Sequence, residues 1–76
     1  MNKDEILKYL KNKKVEFVSE FEYKNKQYIK TLKIQKNKLK FIYYEINENN
    51  IKEVEDIELL NYFKIMYEVQ PSDIIY

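Results

Sequence analysis

The side chains that could do chemistry in this chain are carboxylates, lysines and tyrosines, because histidine, cysteine and glycine are absent. The densest group of carboxylates comprises Glu53, Glu55, Asp56 and Glu58. Such a group could hold a hard cation, which prefers oxygen ligands. The glycine and the ligand spacing of a calcium loop are missing, however, and acids also gather where a helix begins because the helix dipole favours them there. We therefore predict no metal site.

Enzymatic activity is not expected from the remaining residue types. Without histidine or cysteine there is no Ser-His or Cys-His pair, and the commonest general base is missing. Without glycine there is no phosphate-binding loop of the P-loop or dinucleotide type. The aliphatic hydroxyls are Ser19, Thr31 and Ser72, and no motif surrounds any of them. We predict no catalytic residue, no cofactor and no enzyme activity.

Lysine is the residue type that suggests nucleic-acid binding, because lysines can contact phosphate groups. The candidate nucleic-acid-binding residues are Lys11, Lys13, Lys14, Lys36 and Lys38, with Lys33 and Lys40 at the same end of the predicted sheet. No arginine is present to read guanine or stack on bases, and the net charge is only +1. A solvated lysine-rich surface is the favoured alternative, since nucleic-acid binders usually carry a net basic domain.

Charge is divided unevenly along the chain. Residues 1–43 hold twelve lysines and five acids, a net charge of +7, whereas residues 44–76 hold two lysines and eight acids, a net charge of −6. A separation of this size creates a field that can orient a partner before contact.

Length and composition indicate one small domain over residues 1–76 with a thin core. The first ten residues lack the uninterrupted apolar run of a signal peptide, and no stretch is long and apolar enough to span a bilayer, so we expect a cytoplasmic protein. The residues used most often have A/T-rich codons. We infer an A/T-rich genome, either bacterial or that of a phage or other mobile element.

Hydrophobic periodicity predicts a small α+β fold in the order α-β-β-β-(β)-α, an antiparallel meander with both helices on one face. The predicted elements are a helix at Lys3–Lys11, strands at Val15–Tyr23, Gln27–Lys36, Leu39–Asn47 and Asn50–Glu55, and a helix at Ile57–Glu68. The fourth strand competes with a helix that would begin at Asn50. We favour the strand, because the apolar residues of that helix would scatter around its axis.

Asparagines mark the predicted turns, because asparagine is the residue present that best tolerates the left-handed conformation. Two-residue turns at Asn25-Lys26 and Asn37-Lys38 would place Phe17 opposite Ile34, Ile34 opposite Phe41, and Lys30 opposite Glu45. They would also keep Lys33 away from Lys40, a repulsive pair.

One face of this sheet would carry enough apolar side chains for two helices and leave the other face open. The predicted protein-binding residues on the open face are Ile29, Ile42, Tyr44, Ile46 and Ile51, with Lys33 and Lys40 at the rim. An apolar band rimmed by charge is typical of a protein-binding patch. The alternatives are that one helix or the tail Ile74–Tyr76 covers this face, or that β-branched residues are simply good strand formers there.

These features favour a non-catalytic protein-binding domain. We expect an inhibitor, encoded by a phage or mobile element, of a host enzyme or defence complex, in an anti-CRISPR-like role. The alternatives are a weak, sequence-nonspecific nucleic-acid-binding protein and a self-associating structural module, for which a homodimer is the simplest form.

Overall fold

The computed structural model describes residues 2–68, and its first element is helix α1, Lys3–Asn12. The Asn2 side chain accepts a hydrogen bond of 2.9 Å from the backbone N–H of Glu5, which caps the helix. At the other end, the N–H of Val15 donates to the carbonyl of Leu10 at 3.2 Å, and Lys14 adopts a φ of 59°. This is a Schellman ending built without glycine.

Four antiparallel strands follow in the spatial order β1-β2-β3-β4. They are β1 at Glu16–Tyr23, β2 at Lys26–Gln35, β3 at Lys38–Ile46 and β4 at Ile51–Glu53. The meander and its element order are as predicted, and β4 forms in preference to the alternative helix. Strand β4 pairs with β3 through Ile51 opposite Ile46 and Lys52 opposite Glu45.

Both long hairpins turn one residue earlier than predicted, at Lys24-Asn25 and Lys36-Asn37. The φ angles are 49° and 64° in the first turn and 48° and 64° in the second, so both central residues are left-handed. This is the geometry of the type I′ turn, which matches the twist of the flanking strands. Asparagine takes the second central position, and lysine is forced into the first.

The earlier turns change the cross-strand partners. Lys30 lies opposite Tyr43 instead of Glu45, and Lys33 lies opposite Lys40, the repulsive pair that the predicted register avoids. A second difference is an irregularity in β1 between Phe17 and Ser19. This bulge reverses the side-chain alternation, so Phe17 pairs with Thr31 on the opposite face from Phe21.

The last helical stretch covers the predicted range Ile57–Glu68, but only its first part is an α-helix. Helix α2 covers Ile57–Phe63 and is capped by Asp56, whose carboxylate accepts from the N–H groups of Glu58 and Leu59 at 3.0 and 3.3 Å. A π-helical segment, Lys64–Glu68, continues it. Pro71 and the Ile74–Tyr76 tail, which was one alternative cover for the open face, lie outside the described residues.

Each face of the sheet has its own core. On one face, α1 packs through Leu10 against Val15, Ile29, Tyr44 and Ile51. On the other, Phe63 of α2 packs against Tyr28, Tyr43 and Val54. The prediction that both helices share one face is therefore wrong. Each face carries enough apolar area to bury a helix, and one on each side removes more of it from water.

Candidate nucleic-acid interface

The predicted protein-binding face is the core beneath α1. The residues Ile29, Tyr44 and Ile51 are only 0%, 2% and 5% exposed to solvent. Ile42 and Ile46 are partly buried against them. The Tyr9 ring of α1 meets the Tyr44 ring edge-on, with centroids 5.8 Å apart. Burial also raises the pKa of the Tyr44 hydroxyl, and nearby Glu53 adds to the shift. The prediction of an open apolar face is wrong, because α1 covers it.

The two lysines predicted at the rim of that face lie elsewhere, on a hairpin that extends beyond the sheet. Strand β1 pairs with β2 only as far as Glu16 opposite Leu32. Strands β2 and β3 continue together for three further pairs, from Lys33 opposite Lys40 to Gln35 opposite Lys38. At about 3.3 Å per residue, these pairs extend about 10 Å past the last residue that β1 covers.

We call residues 33–40 the lysine ribbon. It carries Lys33, Lys36, Lys38 and Lys40 and no acidic residue. Lys33 is partly exposed and the other three lysines are exposed. Within residues 2–68 the ion pair found is between Lys26 and Glu45, at 3.7 Å, and it does not involve the ribbon. Direct opposition of Lys33 and Lys40 is unfavourable, and a bound anion would relieve it.

The lysines at the end of α1 reach the same end of the sheet. Lys11, Lys13 and Lys14 are exposed, and the chain runs from them directly into β1. The first paired residue of β1, Glu16, lies opposite Leu32, the residue before the ribbon begins. The fold therefore brings all five predicted nucleic-acid-binding residues to one end of the sheet, together with the two lysines predicted at the protein-binding rim.

The carboxylates weighed as a cation site lie at the opposite end. Asp56 caps α2, and no cluster of three or more potential metal ligands forms among residues 2–68. The two ends of the sheet thus differ in charge, as the division along the chain suggested. No helix in this part of the chain is long and apolar enough to cross a bilayer.

Sequence reasoning missed a buried lysine on the α2 face. Lys30 is 4% exposed, its Nζ donates to the backbone carbonyl of Tyr67, and it lies 4.3 Å from the centre of the Phe41 ring. Its cross-strand partner Tyr43 donates from its hydroxyl to the Glu68 carboxylate at 2.9 Å. Burial and this bond raise the pKa of Tyr43. Both contacts fix the π-helical segment to the sheet. The signal available was the lysine's place among apolar strand residues.

Comparisons with known proteins add no relative: no family model, curated protein or solved structure matches this chain.

Proposed function

We propose that this chain is a non-catalytic nucleic-acid-binding protein that contacts the phosphate backbone through the lysine ribbon. The observation that carries the proposal is the ribbon's place in the fold. It extends past β1 with four lysines and no acid, so it can approach a polyanion without bringing the acidic end of the sheet with it. The lysines at the end of α1 enlarge the same surface.

Binding of this kind is expected to be sequence-indifferent. The chain contains no arginine to form bidentate bonds with guanine, and lysine acts as a point charge toward phosphate. The near-neutral net charge of the chain limits its affinity for nucleic acid. The electrostatic field at the lysine end of the sheet, however, is set by the charges located there. A weak complex with a steep dependence on salt follows from these two features.

The test is fluorescence anisotropy with a labelled duplex of about 20 base pairs at increasing NaCl. The slope of log K against log salt is about −0.9 for each phosphate neutralised, so four ribbon lysines predict about −4 and all seven lysines about −6. The Lys36→Gln/Lys38→Gln variant should reduce the steepness by about 2. Absence of binding at low salt, or a slope near zero, would contradict the proposal.

The chain supplies a matched control at the other end of the sheet. Lys24, Asn25 and Lys26 repeat the Lys-Asn-Lys triplet of the ribbon turn, with the same left-handed geometry. The Lys24→Gln/Lys26→Gln variant therefore has the same charge change in the same kind of turn. It should bind as the unmodified protein does. Equal losses of DNA affinity in both variants would show that binding depends on net charge alone, which would contradict a specific role for the ribbon.

A protein partner is a second candidate, on a different surface from the one predicted. Strand β1 is an edge of the sheet, and Phe17, Val18 and nearby Leu7 are 43–44% exposed. An exposed edge with apolar side chains is a surface to which a partner strand can add. This surface would serve an inhibitor of a host complex. If a protein partner binds this edge, a Leu7→Ser/Phe17→Ser variant that still folds should lose binding to that partner.

A further inference from the structure

The lysine ribbon carries two large apolar side chains that the core does not use. Ile34 and Leu39 lie directly opposite each other in the register and are 68% and 66% exposed. They occupy the middle of the ribbon's three pairs. Because successive residues of a strand face opposite sides, they lie on the other face of the ribbon from Lys33 and Lys40.

The surroundings of this apolar pair favour nucleic acid over a protein as its partner. Lysine pairs with lysine one step toward the sheet, and Lys36 and Lys38 follow toward the turn. Protein-binding surfaces are depleted in lysine near their centres, whereas lysines beside an apolar group match phosphates beside a base step. Charge complementarity therefore identifies a polyanion with an apolar interior, which describes duplex DNA.

Resting on the proposed function, we propose that Ile34 and Leu39 form an apolar wedge that enters the minor groove of duplex DNA and kinks it. Isoleucine and leucine are among the side chains that proteins insert between base steps from the minor groove, unstacking them and bending the duplex. Lys36 and Lys38, which follow the apolar pair toward the turn, hold the phosphates next to the opened step, and Lys33 and Lys40 on the other face of the ribbon add to the local positive field. Flexible pyrimidine–purine steps are the preferred sites, because they cost least to deform.

The experiment uses the full chain and a short duplex with a central TA step, labelled with a donor and an acceptor dye at its two ends. Unmodified protein should increase energy transfer as a kink of about 20–90° brings the ends together. A 2-aminopurine beside the TA step should brighten as it unstacks. The Ile34→Thr/Leu39→Thr variant keeps strand-forming side chains on the ribbon and should lose both signals while keeping the salt dependence of binding.

Ile57→Thr is the matched control, because Ile57 is 72% exposed and lies on α2 at the opposite end. It should bend DNA as the unmodified protein does. Binding without a change in energy transfer would overturn the wedge and leave the proposed function standing, as would bending by the threonine double variant. Failure of the unmodified protein to bind at low salt would overturn both.

Discussion

Replacing Tyr44 by alanine tests whether one helix packs on each face of the sheet or both helices share one face. Tyr44 is 2% exposed and lies in the cluster beneath α1 with Leu10, Val15, Ile29 and Ile51. Truncating a buried aromatic residue costs about 3–5 kcal/mol. A domain of 76 residues has a net stability of about 4–11 kcal/mol, so this one change should remove a large fraction of the free energy of unfolding.

The assay is urea unfolding followed by circular dichroism, together with the thermal midpoint. A loss of 3 kcal/mol lowers the Tm of a domain this size by about 12 °C or more. Tyr62→Ala is the aromatic control, because Tyr62 is 38% exposed and its ring contacts Tyr23 at 4.8 Å on the other face. Its expected loss is about 1 kcal/mol.

A double-mutant cycle locates the helix that covers Tyr44. The Tyr9 ring belongs to α1 and contacts the Tyr44 ring edge-on, so the two alanine substitutions should show a coupling energy of about 0.5–1.5 kcal/mol. A Tyr44→Ala loss below 1 kcal/mol with no coupling to Tyr9 would refute the reasoning. It would mean that α1 leaves this face open, as the sequence suggested.

Two further predictions concern stability. Lys14→Gly should raise the free energy of unfolding by about 1 kcal/mol, because Lys14 holds a φ of 59° that glycine adopts without strain; Lys13→Gly, at a helical φ of −84°, removes the same charge and should be destabilising in the same urea titration. Above pH 10 the protein should lose stability steeply, because burial raises the pKa of Tyr28, Tyr43 and Tyr44 above the ordinary value of 10.0. The folded state then holds protons that the unfolded state releases, so the tyrosine contribution is constant below pH 10 and falls above it by about 1.4 kcal/mol per pH unit for each tyrosine that stays protonated in the folded state. Urea titrations from pH 8 to pH 11 that give one unchanging stability would contradict it.

The fold was largely predictable because asparagine marks its turns. Asn25 and Asn37 placed both hairpins to within one residue, and the error did not exchange the faces. Moving a two-residue turn by one position changes each cross-strand partner by two, which keeps the same side chains together. The bulge next to Val18 was not predictable, because no glycine or proline marks it.

The side on which each helix packs could not be read from the sequence. Tyr44 and Ile29 alternate with Tyr43 and Tyr28 along the strands, so each face of the sheet is apolar. A sheet face that binds a partner and a sheet face that packs against a helix show the same pattern of alternating apolar residues. The helix that covers it is decided by total burial, which periodicity along one strand does not measure.

The lysines of the candidate site could be predicted from the sequence, but the absence of β1 beside the ribbon could not, because it depends on the strand register. The lysines were identified, but the predicted pairing of Phe17 with Ile34 would have carried β1 along β2 to Lys36. The earlier turn moves the partner of each β1 residue by two, and the bulge moves it by one more. Glu16 therefore meets Leu32 and leaves residues 33–40 uncovered. A free ribbon is the combined result of two small departures from regular pairing.

The ribbon is also where local preferences conflict, which favours a functional origin for its features. The turn at Lys24-Asn25 has the same left-handed backbone as Lys36-Asn37, so backbone strain alone does not distinguish the two hairpins. Beside the second turn, however, like charges face each other at Lys33 and Lys40, and Ile34 and Leu39 remain exposed. The like-charge pair opposes folding and the largely exposed apolar pair contributes little to it, whereas a bound duplex would screen the lysines and bury the apolar pair.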